Sequence, residues 1–278
     1  MISGIMPCTN AVEMDVPFLL SLESWLPVCD EIIVITLSKD KSIDVLFEYA
    51  GRKKKVKVII VDYPPEHNML RQVAYSYCSS PDWVVHFDAD YLISPEDGEI
   101  LRSKILDAPD DVDCMTYNLV FLNYDASTTI YTESRKNDYY PNNGFTTFYP
   151  FIVSPKRGTF ISIAKAQNQF GHYFDVEGAV SLVPGKWGQI WHPLHPEASQ
   201  LTVLHTEQRV DHLMWSRSIS VLYDKLSKPG LSSFSLEFVL NGSYLTSVDY
   251  PLLNKARAHY RKLKQTILQI EEEKAYQS

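Results

Sequence analysis

Short apolar runs alternate with amphipathic segments near the start of the chain, and this alternation restricts the fold more than any other feature. Four short runs, at positions 2–6, 31–37, 55–63 and 83–88, predict strands, and the continuous β-branched run at 31–37 is typical of a strand covered on both faces. Apolar residues recur at helical spacing between them, and Asp15 and Ser94 stand where a side chain can cap a helix. Repeated βα units predict an α/β fold with a mostly parallel sheet, in which ligands bind at the carboxyl ends of the strands.

The second half of the chain has weaker patterns. Residues 113–124 predict a long strand, and residues 125–200, which are rich in Tyr, Asn, Gly, Pro and Trp, predict mixed strands and long loops. From Glu207 onward the pattern is helical. The last helix, after Pro251, carries an apolar stripe made of Leu253, Ala256, Tyr260, Leu263, Ile267 and Ile270. We expect this stripe to pack on its own domain, with a homodimer contact as the alternative.

Composition argues against several classes of protein. The formal net charge of −8 makes a nucleic-acid partner improbable, since that would need an excess of Lys and Arg. The four cysteines are widely separated, which favours reduced thiols over a disulfide framework or a zinc site. The sequence has no signal-peptide pattern and no apolar run near the ~20 residues that span a bilayer. We therefore expect a cytoplasmic protein without a transmembrane segment.

Two carboxylates separated by one residue, Asp88 and Asp90, follow the fourth predicted strand. From a strand end, such a pair can converge on one divalent cation. A cation there would neutralise a diphosphate leaving group as its bond breaks. An isolated D-x-D is weak evidence, but its place after a series of βα units favours a ligand site. We expect both side chains to face that site and Asp90→Asn to leave the fold intact.

The first part of the chain resembles a family-2-type glycosyltransferase with the GT-A fold, a Rossmann-like fold that binds nucleotide-diphospho-sugars. The resemblance lies in the loop Pro7-Cys8-Thr9-Asn10, the turn Ser38-Lys39-Asp40-Lys41-Ser42, and Asn68-x-x-Arg71 ahead of the run that ends in Asp88-Ala89-Asp90. It implies that Pro7, Thr9, Asn10 and Asp40 contact the nucleoside, Asp62 the base side of the pocket, and Arg71 the nucleotide or sugar. It also implies that Asp88 faces the ribose or donor sugar beside the metal, and that Asp90 holds the metal.

Residues of the second half complete this prediction. An apolar run at 201–204 ends in His205, which resembles the late histidine that joins the metal or diphosphate in many GT-A enzymes. An imidazole ligand favours Mn²⁺ over Mg²⁺. Glycosyl transfer with inversion, which the resemblance implies, needs a base to take the proton of the acceptor hydroxyl. Asp175 and Glu177 are the candidates, and they face the same way if their segment is extended.

The predicted function is metal-dependent transfer of a sugar from a UDP- or GDP-sugar donor to a hydroxyl of a carbohydrate or glycoconjugate acceptor. Residues 1–110 would form the nucleotide-sugar-binding half, 111–215 the acceptor-binding and metal-completing half, and 216–278 a C-terminal helical extension. A nucleotidyltransferase acting on a sugar phosphate is one alternative, and a nucleotide-sugar-binding protein without turnover is another. The chain has no G-x-x-x-x-G-K-[ST], which excludes a P-loop enzyme.

Overall fold

The structure is a computed structural model that describes residues 1–62, 67–129, 147–167, 173–181, 189–191, 201–213, 216–227, 235–242, 244–245 and 249–277. Its strands are β1 (Ile2–Pro7), β2 (Glu31–Thr36), β3 (Val56–Ile60), β4 (Trp83–His86), β5 (Tyr91–Ile93), β6 (Cys114–Phe121), β7 (Thr128–Thr129), β8 (Thr147–Val153), β9 (Thr159–Gln167), β10 (Tyr173–Ser181), β11 (Gln189–Trp191), β12 (Val203–His212) and β13 (Tyr244–Leu245). Its helices are α1 (Phe18–Trp25), α2 (Ser42–Arg52), α3 (His67–Tyr75), α4 (Pro95–Leu106), α5 (Ile219–Ser227), α6 (Leu236–Asn241) and α7 (Pro251–Gln277).

A central eight-stranded sheet has the order β3-β2-β1-β4-β8-β6-β12-β5. The pairs β1–β2, β2–β3, β1–β4 and β6–β12 are parallel, whereas β8 and β5 run antiparallel to their neighbours. Two smaller antiparallel sheets join β9, β10 and β11, and β7 and β13. The first four strands follow the order of a doubly wound nucleotide-binding half. The mostly parallel α/β sheet predicted from the sequence is therefore confirmed.

The core lies on both faces of this sheet. Strands β1 and β2 are buried along their whole length, which explains their nearly continuous apolar sequences. On one face Trp25 stacks on Phe87 with ring centroids 4.7 Å apart. The other face holds Ile5, Ile33 and Leu70. This packing fixes the strand ends from which the candidate site is built.

The long helix α7 packs on its own domain, as the sequence predicted. Its stripe residues Leu253, Ala256, Tyr260 and Ile267 are buried in one apolar cluster with residues of the β5 and β6 region. Leu263 packs against the same cluster from a half-buried position, and the Tyr260 hydroxyl donates a hydrogen bond of 2.5 Å to the Asp15 carbonyl. The helix is thus part of the fold of a single chain.

The predicted cap of the first helix is wrong. Helix α1 begins at Phe18 and its cap position, Pro17, provides no side-chain hydrogen bond. Asp15 has a left-handed backbone (φ 53°), and its carboxylate lies 2.8 Å from His259 of α7. The prediction for Ser94 is confirmed, because its Oγ accepts a hydrogen bond of 3.0 Å from the backbone of Asp97.

Strand β12 extends further than its sequence predicted. It continues through His212, so it neither ends at His205 nor gives way to a helix at Glu207. Buried residues alternate with exposed ones along it, but several of the buried ones are polar. Thr206, for example, donates a hydrogen bond of 2.7 Å to the Thr116 carbonyl on β6. Since polar residues occupy inward positions, the apolar periodicity that marks a strand is lost.

The cysteines are thiols, as predicted, and no disulfide joins them. Burial, together with the charges of Asp40 and Asp90, raises the pKa of the Cys8 thiol to about 12. Burial and Glu31 raise the pKa of Cys78 to about 11. Among the described residues, no helix combines the length and the apolar character needed to cross a membrane.

Candidate functional site

The residues that the sequence assigned to the donor lie along one edge of the central sheet. Each stands at or just after the carboxyl end of a strand between β1 and β4: Pro7, Thr9, Asn10, Asp40, Asp62, Asp88 and Asp90. These strands are parallel, so their carboxyl ends meet at that edge. This is where open α/β sheets bind their ligands.

Hydrogen bonds join the first two loops at this edge. Asn10 has a left-handed backbone (φ 48°). Its Oδ1 accepts a bond of 2.9 Å from the backbone amide of Lys39, and its own backbone amide donates a bond of 2.8 Å to Oγ of Ser38. Asp40 accepts bonds from the amides of Glu13 (2.8 Å) and Ser42 (3.0 Å). Burial opposes ionisation of Asp40, but these hydrogen bonds outweigh it and lower its pKa. Asn10 and Asp40 therefore shape this wall of the site.

Asp88 is held by an arginine of helix α3. Its Oδ1 accepts a bond of 2.6 Å from Arg71, whose side chain is buried while that of Asp88 remains 35% exposed. One turn further along α3, the Tyr75 hydroxyl lies 2.7 Å from His86 Nε2 at the end of β4. Burial, with a contribution from Arg71, lowers the pKa of His86 well below its usual value, so this ring is neutral. The two contacts dock α3 against the end of β4.

Asp90 is buried and bound to two basic side chains from the other end of the chain. Its Oδ2 accepts a bond of 2.5 Å from Arg217 and lies 3.4 Å from His212 Nε2. Burial alone would raise the pKa of Asp90, but the charges and hydrogen bonds of His212 and Arg217 outweigh it and hold the pKa far below its usual range. The Asp90 carbonyl accepts a bond of 3.0 Å from the Leu213 amide. Asp90 is thus an ionised carboxylate tied to the segment after β12.

The register of β12 places His212 beside Asp90. His212 pairs with Tyr91 of β5 and with Phe121 of β6, and its ring packs against both of their rings at centroid distances of 4.6 and 4.9 Å. Since β12 is parallel to β6, His212 lies at the same edge of the sheet as the end of β4. Two aromatic neighbours hold the imidazole in place there.

The side chains around Asp90 suit a divalent cation. A carboxylate oxygen and an imidazole nitrogen 3.4 Å apart can both reach one ion, and this donor set suits Mn²⁺. Nδ1 of His212 is buried without a hydrogen-bond partner among the described residues. A hydrogen bond at Nδ1 therefore does not fix the tautomer of the ring. In the described part of the chain, no three His, Cys, Asp or Glu side chains are grouped to hold a metal. The remaining ligands would be water and the phosphates of a donor.

His205, the predicted metal ligand, is not brought to Asp90. His205 lies at the opposite end of β12, exposed, with Nδ1 3.0 Å from Thr116 Oγ1. The two histidines are seven positions apart on an extended strand, which is roughly 23 Å. Asp175 and Glu177 lie two positions apart in β10 of the smaller sheet, and their side chains lie outside the described residues, as does that of Asn68.

Sequence reasoning missed His212 and Arg217. The misplaced end of β12 concealed the histidine, because an apolar run that stops at His205 suggests that the strand stops there. A signal was nevertheless present: Val210 and Leu213 flank His212, as expected if the strand continued. Arg217 offered no local signal, since its partner is 127 positions away.

No protein-family model and no curated protein matches this sequence. Among solved structures, TarS 1–349 of S. aureus is 19% identical, with a TM-score of 0.40 over 55% of this chain and 46% of that chain. GalNAc-T7 with UDP, GalNAc and Mn²⁺ is 12% identical, with a TM-score of 0.43 over 76% and 43%. The mannosyltransferase PcManGT from Pyrobaculum calidifontis, in complex with GDP-Man and Mn²⁺, is 16% identical, with a TM-score of 0.34 over 41% and 34%. The chain spans less than half the length of each of these proteins. By its own strand order, with the carboxylate pair after the fourth strand, the chain has an α/β fold of the GT-A type.

Proposed function

We propose that this chain is a glycosyltransferase that moves a sugar from a UDP- or GDP-sugar to a hydroxyl of a carbohydrate or glycoconjugate. The observation that carries the proposal is the pair Asp88 and Asp90 at the carboxyl end of β4, each bound to an arginine from a different part of the chain. Carboxylates accept hydrogen bonds from sugar hydroxyls, and guanidinium groups bind phosphates. This edge therefore combines the groups that both halves of a nucleotide-sugar require.

The donor would lie across the loops after β1, β2 and β4. Asp88 is the more exposed carboxylate, and it would accept a hydrogen bond from a hydroxyl of the ribose or donor sugar. Pro7, Thr9, Asn10, Asp40 and Asp62 would surround the nucleoside. Arg71 would orient Asp88 and add positive charge beside the phosphates.

A divalent cation, Mn²⁺ or Mg²⁺, would be held by Asp90 and His212. When bound, it supplies positive charge to the departing diphosphate. His212 takes the role first assigned to His205, because it is His212 that lies 3.4 Å from Asp90. Asp90 is ionised and stays so at neutral pH, as a cation ligand must be.

The acceptor would bind to the part formed by residues 111–215, next to the donor half at 1–110, with 216–278 as a helical extension. Asp175 or Glu177 would take the proton of the attacking hydroxyl, and the sugar would be transferred with inversion. The two residues lie two positions apart in β10, and side chains at that spacing on a strand point the same way. Asp175→Asn and Glu177→Gln, measured separately, should identify the base as the variant that loses transfer but still binds the donor.

Calorimetry with UDP and GDP, in Mn²⁺ and in EDTA, tests the donor site. We expect one of them to bind at least tenfold more tightly with Mn²⁺, about 1.4 kcal/mol, because a cation held at Asp90 adds positive charge beside the phosphates. Asp88→Asn should weaken that binding by a similar factor. Asp30→Asn is a matched control: Asp30 is 33% exposed and pairs with Arg102 at 2.6 Å, but it precedes β2 at the other edge of the sheet.

Transfer itself is measured as release of UDP or GDP from a panel of nucleotide-sugars, with and without acceptor sugars. Binding without turnover would indicate a nucleotide-sugar-binding protein. Release of pyrophosphate from a nucleoside triphosphate and a sugar phosphate would indicate a nucleotidyltransferase. If neither nucleotide binds under either condition, the proposed function is wrong.

A further inference from the structure

Arg217 and a divalent cation would compete for the same oxygen atom. Arg217 Nη2 and His212 Nε2 both approach Oδ2 of Asp90, at 2.5 and 3.4 Å. The Arg217 and Asp90 side chains are 9% and 7% exposed. A carboxylate so deeply buried is costly without a counter-charge. When no cation is present, the guanidinium provides that charge.

Building on the proposed function, we propose that Arg217 is a resident counter-ion that keeps divalent cations off Asp90 until a nucleoside diphosphate binds. A guanidinium and a divalent cation at one oxygen repel each other, so the cation alone binds weakly. A diphosphate offers Arg217 several anionic oxygens, and a guanidinium can form bidentate hydrogen bonds with a phosphate. Cation and nucleotide then bind together, and each increases the affinity of the other by the same factor.

Hydrogen bonds hold the backbone of Arg217 in place and connect its side chain to nearby carbonyls. Its carbonyl accepts a bond of 2.7 Å from the Tyr124 hydroxyl. Its Nη1 donates to the carbonyls of Leu213 and Ser216, at 3.1 and 2.8 Å, which belong to the same short segment. Exchange of Asp90 for a phosphate would involve the Arg217 side chain, while the bond from Tyr124 holds its backbone.

The location of Arg217 also favours a phosphate partner. The amide of the next residue, Ser218, donates a bond of 3.1 Å to the Met14 carbonyl. Met14 belongs to the loop that begins with Thr9 and Asn10 after β1. The guanidinium therefore stands between that loop and the end of β4, at the edge where the donor would bind.

The test measures Mn²⁺ binding by calorimetry in protein that carries no nucleotide. Arg217→Met should bind Mn²⁺ at least tenfold more tightly than the wild-type protein. In EDTA it should melt at a lower temperature, and Mn²⁺ should raise its melting temperature more than that of the wild type. Arg102→Met removes another arginine paired to an aspartate at 2.6 Å, at the other sheet edge, and should leave Mn²⁺ affinity unchanged.

A second measurement uses the wild-type protein alone. UDP or GDP should raise its Mn²⁺ affinity at least tenfold, and this coupling should fall in Arg217→Met, or in Arg217→Gln if the methionine variant does not fold. Mn²⁺ binding that is no tighter in the variant than in the wild type would overturn the proposal and leave Arg217 as a structural ion pair. Failure of the proposed function would instead appear as absence of nucleotide binding, and the nucleotide-free Mn²⁺ comparison would still decide the role of Arg217.

Discussion

Asp90→Asn tests how the carboxylate pair is built into the fold. The sequence suggested that this substitution would leave the fold intact, but Asp90 is buried and binds Arg217, so an amide there leaves a buried guanidinium without its counter-charge. Removal of one partner from a buried ion pair typically costs about 3–5 kcal/mol. Arg217 keeps its bonds to the Leu213 and Ser216 carbonyls, which places the expected loss near the lower limit, about 3 kcal/mol. For a chain of 278 residues, that corresponds to a fall in melting temperature of roughly 5 °C.

The assay is thermal unfolding in EDTA, followed by circular dichroism, for the wild type, Asp90→Asn, Arg217→Met and the double variant. The double variant should be more stable than the sum of the single losses predicts, because it contains no uncompensated charge. Asp30→Asn, at a pair in which both side chains are about one-third exposed, should cost less than about 1 kcal/mol. If Asp90→Asn melts within about 1 °C of the wild type, less than about 1 kcal/mol, the buried pair does not stabilise the protein and this reasoning is refuted.

Three further predictions concern other parts of the structure. His212→Ala should weaken Mn²⁺ binding in the presence of UDP or GDP at least tenfold, whereas His205→Ala should not change it; the reverse result would return the metal site to His205. Glu31 is buried, but hydrogen bonds from Lys57, Ser79 and Ser3 outweigh the cost of burial and lower its pKa to about 2. Because its pKa is lower in the folded than in the unfolded state, the stability it contributes, at most about 3 kcal/mol, is present above pH 4.5 and lost as the pH falls towards 2. Urea unfolding of wild type and Glu31→Gln across that range should show the loss in the wild type alone; parallel curves would contradict it. Truncation after Ser247 removes α7 and exposes the cluster around Leu92 and Tyr124, so the product should be unfolded or insoluble; a soluble, folded product would disprove the role of α7 in the core.

The first half of the fold could be predicted because its strands are buried on both faces. Such strands must be apolar along their length, and β1 and β2 stand out for that reason. The order of βα units then placed Asp40, Asp62 and Asp88 at one edge, since parallel strands share their carboxyl ends. Local patterns were sufficient because each βα unit is itself a local structure.

The second half obeys the same physical rules, but its signals are not local. Inward residues of β12 such as Thr206 and Asp211 are polar, and specific partners compensate them: the Thr116 carbonyl for the first, Arg209 and Tyr250 for the second. A strand whose buried side is satisfied by hydrogen bonds has no apolar period, so the sequence did not reveal where it ends. The register of that strand decides whether His205 or His212 reaches the site.

The charge balance of the candidate site depends on contacts across the whole chain. The sequence shows two carboxylates in a protein with a net charge of −8, and this alone predicts that a bound cation is required to accept a diphosphate. The structure instead pairs Asp88 with Arg71 and Asp90 with Arg217, so both carboxylates are neutralised before any ligand arrives. Repulsion of a diphosphate by these two groups is therefore weaker than the D-x-D alone suggests. What a cation would add is not neutralisation of the empty site but release of Arg217, whose charge then becomes available to the phosphates.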